Sequence, residues 1–281
     1  MKRHPLFRTA WYAANLLFLA SVLLLIFAMS WEFSTRMYLK GFADAIVPLS
    51  STSEQKVDAI LAWMQQGPER RRTTSADSVV LRDPQDTLNY RRLLAVCGTA
   101  TNAFVNLAAS SGLQARRLLL LRPDGQATHV VAEVRLGDRW AVVDPAYRAI
   151  LRDAQGHPLT RQQLSDPDVF RQMRERVQGY PSEATFERTA HIRFWRVPVI
   201  GWLLRGALDT APSVWEEAIN WTLVLERESF ALTLLVMLFM CFSLAGLSAL
   251  IWCGERRLGI TRVHLREQLI RMGAALFSSP G

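Results

Sequence analysis

A chain of 281 residues, half of them hydrophobic, is one large domain or a medium domain with additions. Its formal charge of +8 sits mostly at the two ends: Lys2, Arg3 and Arg8 stand without an acid before residue 30, and five arginines face Glu255 and Glu267 after residue 229. The middle, 30–229, holds 25 basic and 23 acidic residues, so the charge does not describe a nucleic-acid-binding face.

After a short basic tail, 1–9, the first element is "AWYAANLLFLASVLLLIFAM", residues 10–29, twenty residues without a charge. About 20 apolar residues carry a helix across the hydrocarbon core, so a transmembrane helix is expected. Trp11, Tyr12, Trp31 and Phe33 flank the run, where amphipathic rings favour the headgroup boundary. A cleaved signal peptide is the competing reading, with Ala28-Met29-Ser30 as its cleavage site, but the run exceeds the ~7–15 residues usual for one. Residues 30–50 read as a connection. A helix then starts near "STSE", where Ser51 and Glu54 have capping-box spacing, and carries a stripe of Val57, Ile60, Leu61 and Met64 up to Gly67-Pro68. The "PERRRTTSAD" segment reads as an exposed loop.

Cys97 opens the next helix, with Ala100, Ala103, Phe104, Leu107 and Ala108 at helical spacing and Gly112 as its C-terminal cap. Strands are expected at 115–121, 127–136 and 139–145, separated by "RPDG" and by Gly137-Asp138. Residues 151–194 read as polar and mostly helical. The segment 195–225, with Trp195, Trp202, Trp215 and Trp221, reads either as a membrane-proximal amphipathic helix or as a helix packed on the domain. A second uncharged run of twenty-four residues, 230–253, is another transmembrane helix, and 254–281 a basic tail. Basic flanks mark the cytoplasmic side, so both termini are expected inside, in a two-span inner-membrane protein with 30–229 extracytoplasmic, or periplasmic. Lysine appears only at positions 2, 40 and 56, an arginine bias associated with GC-rich bacterial genomes.

Cys97 is the only cysteine between the two apolar runs; Cys241 and Cys253 lie in the second. Outside the cytoplasm, where cysteines are usually bridged, a solitary one is a candidate reactive thiol, with an inert core cysteine as the bland alternative. If Gly137-Asp138 form a two-residue hairpin loop, Leu136 pairs with Arg139 and Asp144 falls opposite Val131. His129 shares that face, so histidine and carboxylate become diagonal neighbours about 7–8 Å apart along the backbones. The other face, with Val130, Ala132, Val134, Leu136, Ala141 and Val143, is apolar and should bury on the core. A lone strand histidine is usually structural, and an aspartate before proline often only starts a turn. Joined to a cysteine at a helix N-terminus, they supply the parts of a nucleophilic triad: a thiol whose pKa the helix end and an imidazolium both lower, a base, and an orienting carboxylate.

"CGTATNAFVNLAASSGLQAR" followed by "THVVAEVRLGDRWAVVDPAY" resembles the transglutaminase-like superfamily of papain-like thiol enzymes, over roughly residues 50–150. That family shows a cysteine opening a helix, then G-[IL]-x-A-R, H-x-W-x-E-V and W-x-x-[VL]-D-P. Here these stand as Gly112 to Arg116, His129 to Val134 and Trp140 to Pro145. The resemblance implies an α+β domain with the catalytic helix packed on an antiparallel sheet, Cys97 as nucleophile, His129 as general base and acid, and Asp144 as orienting carboxylate. Asn89 or Tyr90 would supply a second oxyanion donor. Glu133, on the face of His129, is expected chiefly as a structural hydrogen-bonding residue. Two positions depart from the pattern: Val131 replaces an aromatic, and "RLLAV" before Cys97 lacks a glycine.

The expected function is acyl transfer on an amide, as a cysteine protease or amidase with water, or a transamidase with an amine. A peptide, protein or envelope polymer is the expected substrate, and a membrane protein a possible partner through the spans. No cofactor is called for. The alternative is a non-catalytic binding or assembly module that keeps the fold. Metal binding by Cys97, His129 and Asp144 is the weakest class, because no close-spaced ligand pair supports it and His4, His157, His191 and His264 are scattered.

Overall fold

The computed structural model describes residues 5–65, 97–191, 227–259 and 270. Backbone packing divides the chain into two compact units, one running to Trp31 and resuming at Leu232, the other spanning Glu32–Ala231.

The first unit holds most of α1 (Pro5–Ile46) and of α6 (Glu228–Leu258), each long and apolar enough to cross a membrane, with mean hydropathies of 2.3 and 2.5 over their most apolar windows. Only 11% of either window is buried, and Leu16, Leu23, Phe27, Leu235 and Phe242 are exposed, a surface suited to hydrocarbon. Phe7 and Trp11 of α1 pack with Leu247, Ile251 and Leu258 of α6. Gly254 makes the approach possible, since a Cβ there would lie 2.5 Å from the Phe7 ring.

The second unit is α+β. Its five strands are β1 (Ala115–Leu121), β2 (Ala127–Leu136), β3 (Arg139–Asp144), β4 (Ala149–Ile150) and β5 (Thr189–His191). They form one antiparallel sheet in the order β4-β3-β2-β1-β5. The β2–β3 register pairs Leu136 with Arg139 and Ala132 with Val143, as the two-residue loop requires, and Gly137 takes the positive φ of 63° that the turn demands. One face carries Ala115, Ala132, Val134 and Val143 into a core with α2 (Ser53–Gln65) and α3 (Cys97–Ser110). All four residues of the α2 stripe are buried. At the end of α3, Leu113 N–H reaches Ala108 O and Gly112 N–H reaches Ala109 O, the two closing bonds of a Schellman motif, with Gly112 at φ 80°.

Four expectations need correction. The α2 cap is one residue later than expected: Thr52 and Gln55 bond reciprocally, Thr52 N–H to Gln55 Oε1 at 2.9 Å and Gln55 N–H to Thr52 Oγ1 at 3.3 Å. Residues 30–46 are no loose connection but the continuation of α1, which carries Leu39 and Ala43, followed by Val47, into the core. Glu32–Arg36 and Lys40–Asp44, both i,i+4 pairs, support this stretch. The second sheet face is not open either. Leu118, Leu120, Val131 and Val142 bury against α4 (Arg161–Leu164), α5 (Pro167–Arg176) and the segment to Phe186. The strands are apolar on both sides, as in sheets covered twice. The stretch 151–191 is accordingly only partly helical. The Gly67-Pro68 stop, the "PERRRTTSAD" loop and the segment 195–225 lie outside the described residues.

Candidate active site

β2 begins and β3 ends at the same end of the antiparallel sheet, so His129 and Asp144 meet there. His129 Nε2 donates to Asp144 Oδ2 at 2.6 Å, with the two residues 3% and 0% exposed. The other carboxylate oxygen is also fixed: Oδ1 accepts the backbone N–H of Ala146 at 3.0 Å and of Tyr147 at 3.2 Å. This turn around Pro145 explains the aspartate-proline pair, because an aspartate side chain bonds its own backbone two residues on.

Cys97 opens α3 and is half-buried, a thiol outside any disulfide. Thr101, one turn further, donates its hydroxyl to Val130 O at 3.1 Å, tying the first turn of α3 to the residue after His129. The Cys97 side chain bonds the imidazole of His129. With Nε2 committed to Asp144, Nδ1 is the ring nitrogen left for sulfur. Burial pulls the imidazole pKa down. The bonds to Asp144 and Cys97, with the charges of both, outweigh it and raise the value to about 9. A thiolate beside an imidazolium, at a helix N-terminus, is the arrangement in which cysteine becomes nucleophilic near neutral pH.

Two aromatic residues that sequence reading did not single out enclose the histidine. Tyr147 meets it edge-on with ring centroids 5.9 Å apart, Tyr180 at 6.1 Å and 88°, and the tyrosines touch each other at 4.9 Å. Burial, then the charge of Asp144, pushes the Tyr180 hydroxyl well above its ordinary pKa, so it stays neutral. Tyr147 stood inside the aspartate-proline motif and could have been found there; Tyr180 follows a polar stretch with no such mark. Beside them opens a cavity of about 370 Å³, lined by Arg122, Thr128, His129, Tyr147, Pro181, Glu183 and Ala184.

Glu133 shares the face of His129 but is engaged elsewhere. Its Oε2 accepts Arg116 Nε at 2.8 Å and His191 Nε2 at 2.6 Å, and Arg116 in turn lies 4.1 Å over the Trp140 ring. Burial raises its pKa, but the bond to His191 and the charge of Arg116 prevail and hold it ionised. Removing this buried carboxylate, as in Glu133→Ala, is expected to cost about 3–5 kcal/mol of stability. The pH dependence of Cys97 reactivity should stay unchanged, which thermal unfolding and alkylation rates together would check. His157 pairs with Asp153 at the surface. Val131 is fully buried in the second core. Asn89, Tyr90 and the residues just before Cys97 lie outside the described residues. Among the described residues, no group of three His, Cys, Asp or Glu is arranged to hold a metal ion.

No curated protein and no solved structure matches the chain. Residues 40–145 match the family model of the transglutaminase-like superfamily, from the last turns of α1 to the Asp144-Pro145 turn. The chain accordingly carries a domain of the transglutaminase-like superfamily.

Proposed function

We propose that this protein is a membrane-anchored thiol acyl-transfer enzyme acting on an amide, with Cys97 as nucleophile, His129 as acid and base, and Asp144 as the carboxylate that orients and charges the imidazole. The supporting observation is the line of contacts Cys97–His129–Asp144, in which the imidazole is held at about 9.

In this mechanism the thiolate of Cys97 attacks the amide carbonyl carbon, and the carbonyl electron pair moves onto oxygen. The N–H of Cys97, at the positive end of α3, faces the developing oxyanion. His129 then passes its Nδ1 proton to the leaving amine as the C–N bond breaks, which leaves a thioester on Cys97. Water or an amine attacks next, and His129 takes its proton. The C–S bond breaks and the thiolate returns beside the imidazolium. With water the enzyme is a protease or amidase; with an amine, a transamidase. A peptide or envelope polymer outside the cytoplasmic membrane is the substrate class this reading favours, with both termini cytoplasmic.

The test is the pH dependence of Cys97 alkylation by iodoacetamide in the full chain, solubilised in detergent, with peptide-resolved mass spectrometry to separate it from Cys241 and Cys253. Wild-type Cys97 should react well below the ordinary thiol pKa of about 8.5, and His129→Ala should abolish that acid-side reactivity. A thiol that titrates normally in both would move the assignment to a binding or assembly module.

A further inference from the structure

Away from the cavity, a chain of buried polar side chains joins three elements of the second unit. Glu32 of α1 is 6% exposed, yet both of its oxygens are occupied. Oε1 accepts Arg36 Nε at 2.6 Å and Arg227 Nη1 at 3.0 Å, and Oε2 accepts the Ser229 hydroxyl at 2.7 Å. Arg227, 7% exposed and just ahead of α6, turns its other arm to α3, donating from Nη2 to Asn106 Oδ1 at 3.3 Å. Asn106 Nδ2 donates in turn to the side-chain and main-chain oxygens of Asn102, at 2.7 and 3.0 Å. Asn102 stands five residues beyond Cys97 on the same helix.

Stability alone is a poor reason for such a chain. Taking a carboxylate and a guanidinium out of water costs so much that well-packed apolar residues of the same volume usually serve a core as well or better. A directional polar set does something apolar contacts cannot, because few relative placements keep its bonds. α3 packs through Ala100, Ala103, Phe104 and Leu107 into its core, and the polar set adds a directional constraint to that non-directional packing. The guanidinium of Arg227 bridges α1 and α3, and Ser229 ties the start of α6 to the same carboxylate.

We propose that Glu32, Arg227 and Ser229 are positioning residues that set α3, and with it the Cys97 sulfur, against His129, so that the reactivity of Cys97 depends on the chain segments leading into both apolar helices. This rests on the reading of Cys97 as an activated nucleophile. The segments at 32–36 and 227–229 are then working parts of the enzyme, acting through Asn106 and Asn102, and not mere tethers.

The test uses the full chain in detergent, in a Cys241→Ala/Cys253→Ala background so that iodoacetamide reports Cys97 alone. The decisive variant is the double substitution Glu32→Leu/Arg227→Met, which removes both charges and refills their volume with apolar atoms. It is expected to unfold at or near the wild-type temperature, while the midpoint of Cys97 reactivity against pH rises by about one unit or more toward the free-thiol value, lowering the rate about tenfold at pH values below both midpoints. A folded double variant with the wild-type pH profile would show that the chain of bonds is only structural, and would overturn the proposal. If the double variant fails to fold, Asn106→Leu takes its place, cutting the link to α3 while leaving Glu32 and Arg227 paired. The same rise is expected, and an unchanged profile again overturns the positioning role. Wild-type Cys97 titrating near 8.5 is a separate outcome, and it would remove the enzymatic reading together with this one.

Discussion

Asp144→Asn is expected to lower acyl transfer by up to about 10⁴-fold, the loss seen when the carboxylate of a nucleophile–histidine–carboxylate set is made neutral. The asparagine keeps an oxygen for the N–H groups of Ala146 and Tyr147, so the turn survives. Its amide cannot stabilise an imidazolium, and His129, 3% exposed, keeps only the bond and charge of Cys97 against the burial that pulls its pKa down. The alkaline limit of acyl transfer, set near 9 while the histidine keeps its proton to give to the leaving amine, should move to lower pH, and acyl-transfer rates from pH 5 to 10 would show it. The same shift carries a stability signature. An imidazole raised from an ordinary 6.5 to about 9 means that the folded state holds its proton more tightly than the unfolded chain. The resulting stabilisation is complete below about 6.5 and disappears as pH rises through about 9. Wild type and Asp144→Asn should therefore differ most in unfolding temperature near pH 6 and least near pH 10.

Leu39→Asp should unfold the second unit, although position 39 is distant in sequence from every residue discussed at the site. Leu39 is 0% exposed in the core that α2 and α3 share. Truncating such a leucine to alanine alone costs about 2–5 kcal/mol, and an unpaired carboxylate in its place costs more, against a whole-domain stability of about 5–15 kcal/mol. Phe42 adds to the same contact by meeting Trp63 edge-on at 5.0 Å. Circular dichroism and thermal unfolding should show a lost cooperative transition for Leu39→Asp and a lowered one for Leu39→Ala. An exposed neighbour such as Lys40→Ala should leave it within about 0.5 kcal/mol of wild type.

Strands β1 to β3 were legible because alternation, the RPDG turn signal and a glycine-aspartate loop constrain them together. Register followed from loop length alone, and it brought His129 and Asp144 to one end of the sheet. Ser51/Glu54 and Thr52/Gln55 share the same spacing, and spacing cannot choose between them. Charges at Glu32, Arg36, Lys40 and Asp44 ended the apolar run and suggested a connection, yet they are i,i+4 pairs on a helix whose other side holds Leu39 and Ala43. Tyr180 was hidden for a different reason. It reaches His129 from beyond α5, and tertiary contacts of that separation leave no period in the sequence.

The hairpin that joins β2 to β3 also bears on the order in which the molecule assembles. His129 and Asp144 lie fifteen residues apart across a two-residue turn, so bringing them together closes a short loop at small entropic cost. Joining β5 to β1 closes a loop about five times as long, through pairs such as Leu118 with His191. On these costs the imidazole and carboxylate can pair early, and Tyr180 covers them only after the chain from α4 onward has docked. A folding chain would thus contain its imidazole–carboxylate pair before the wall that shields it.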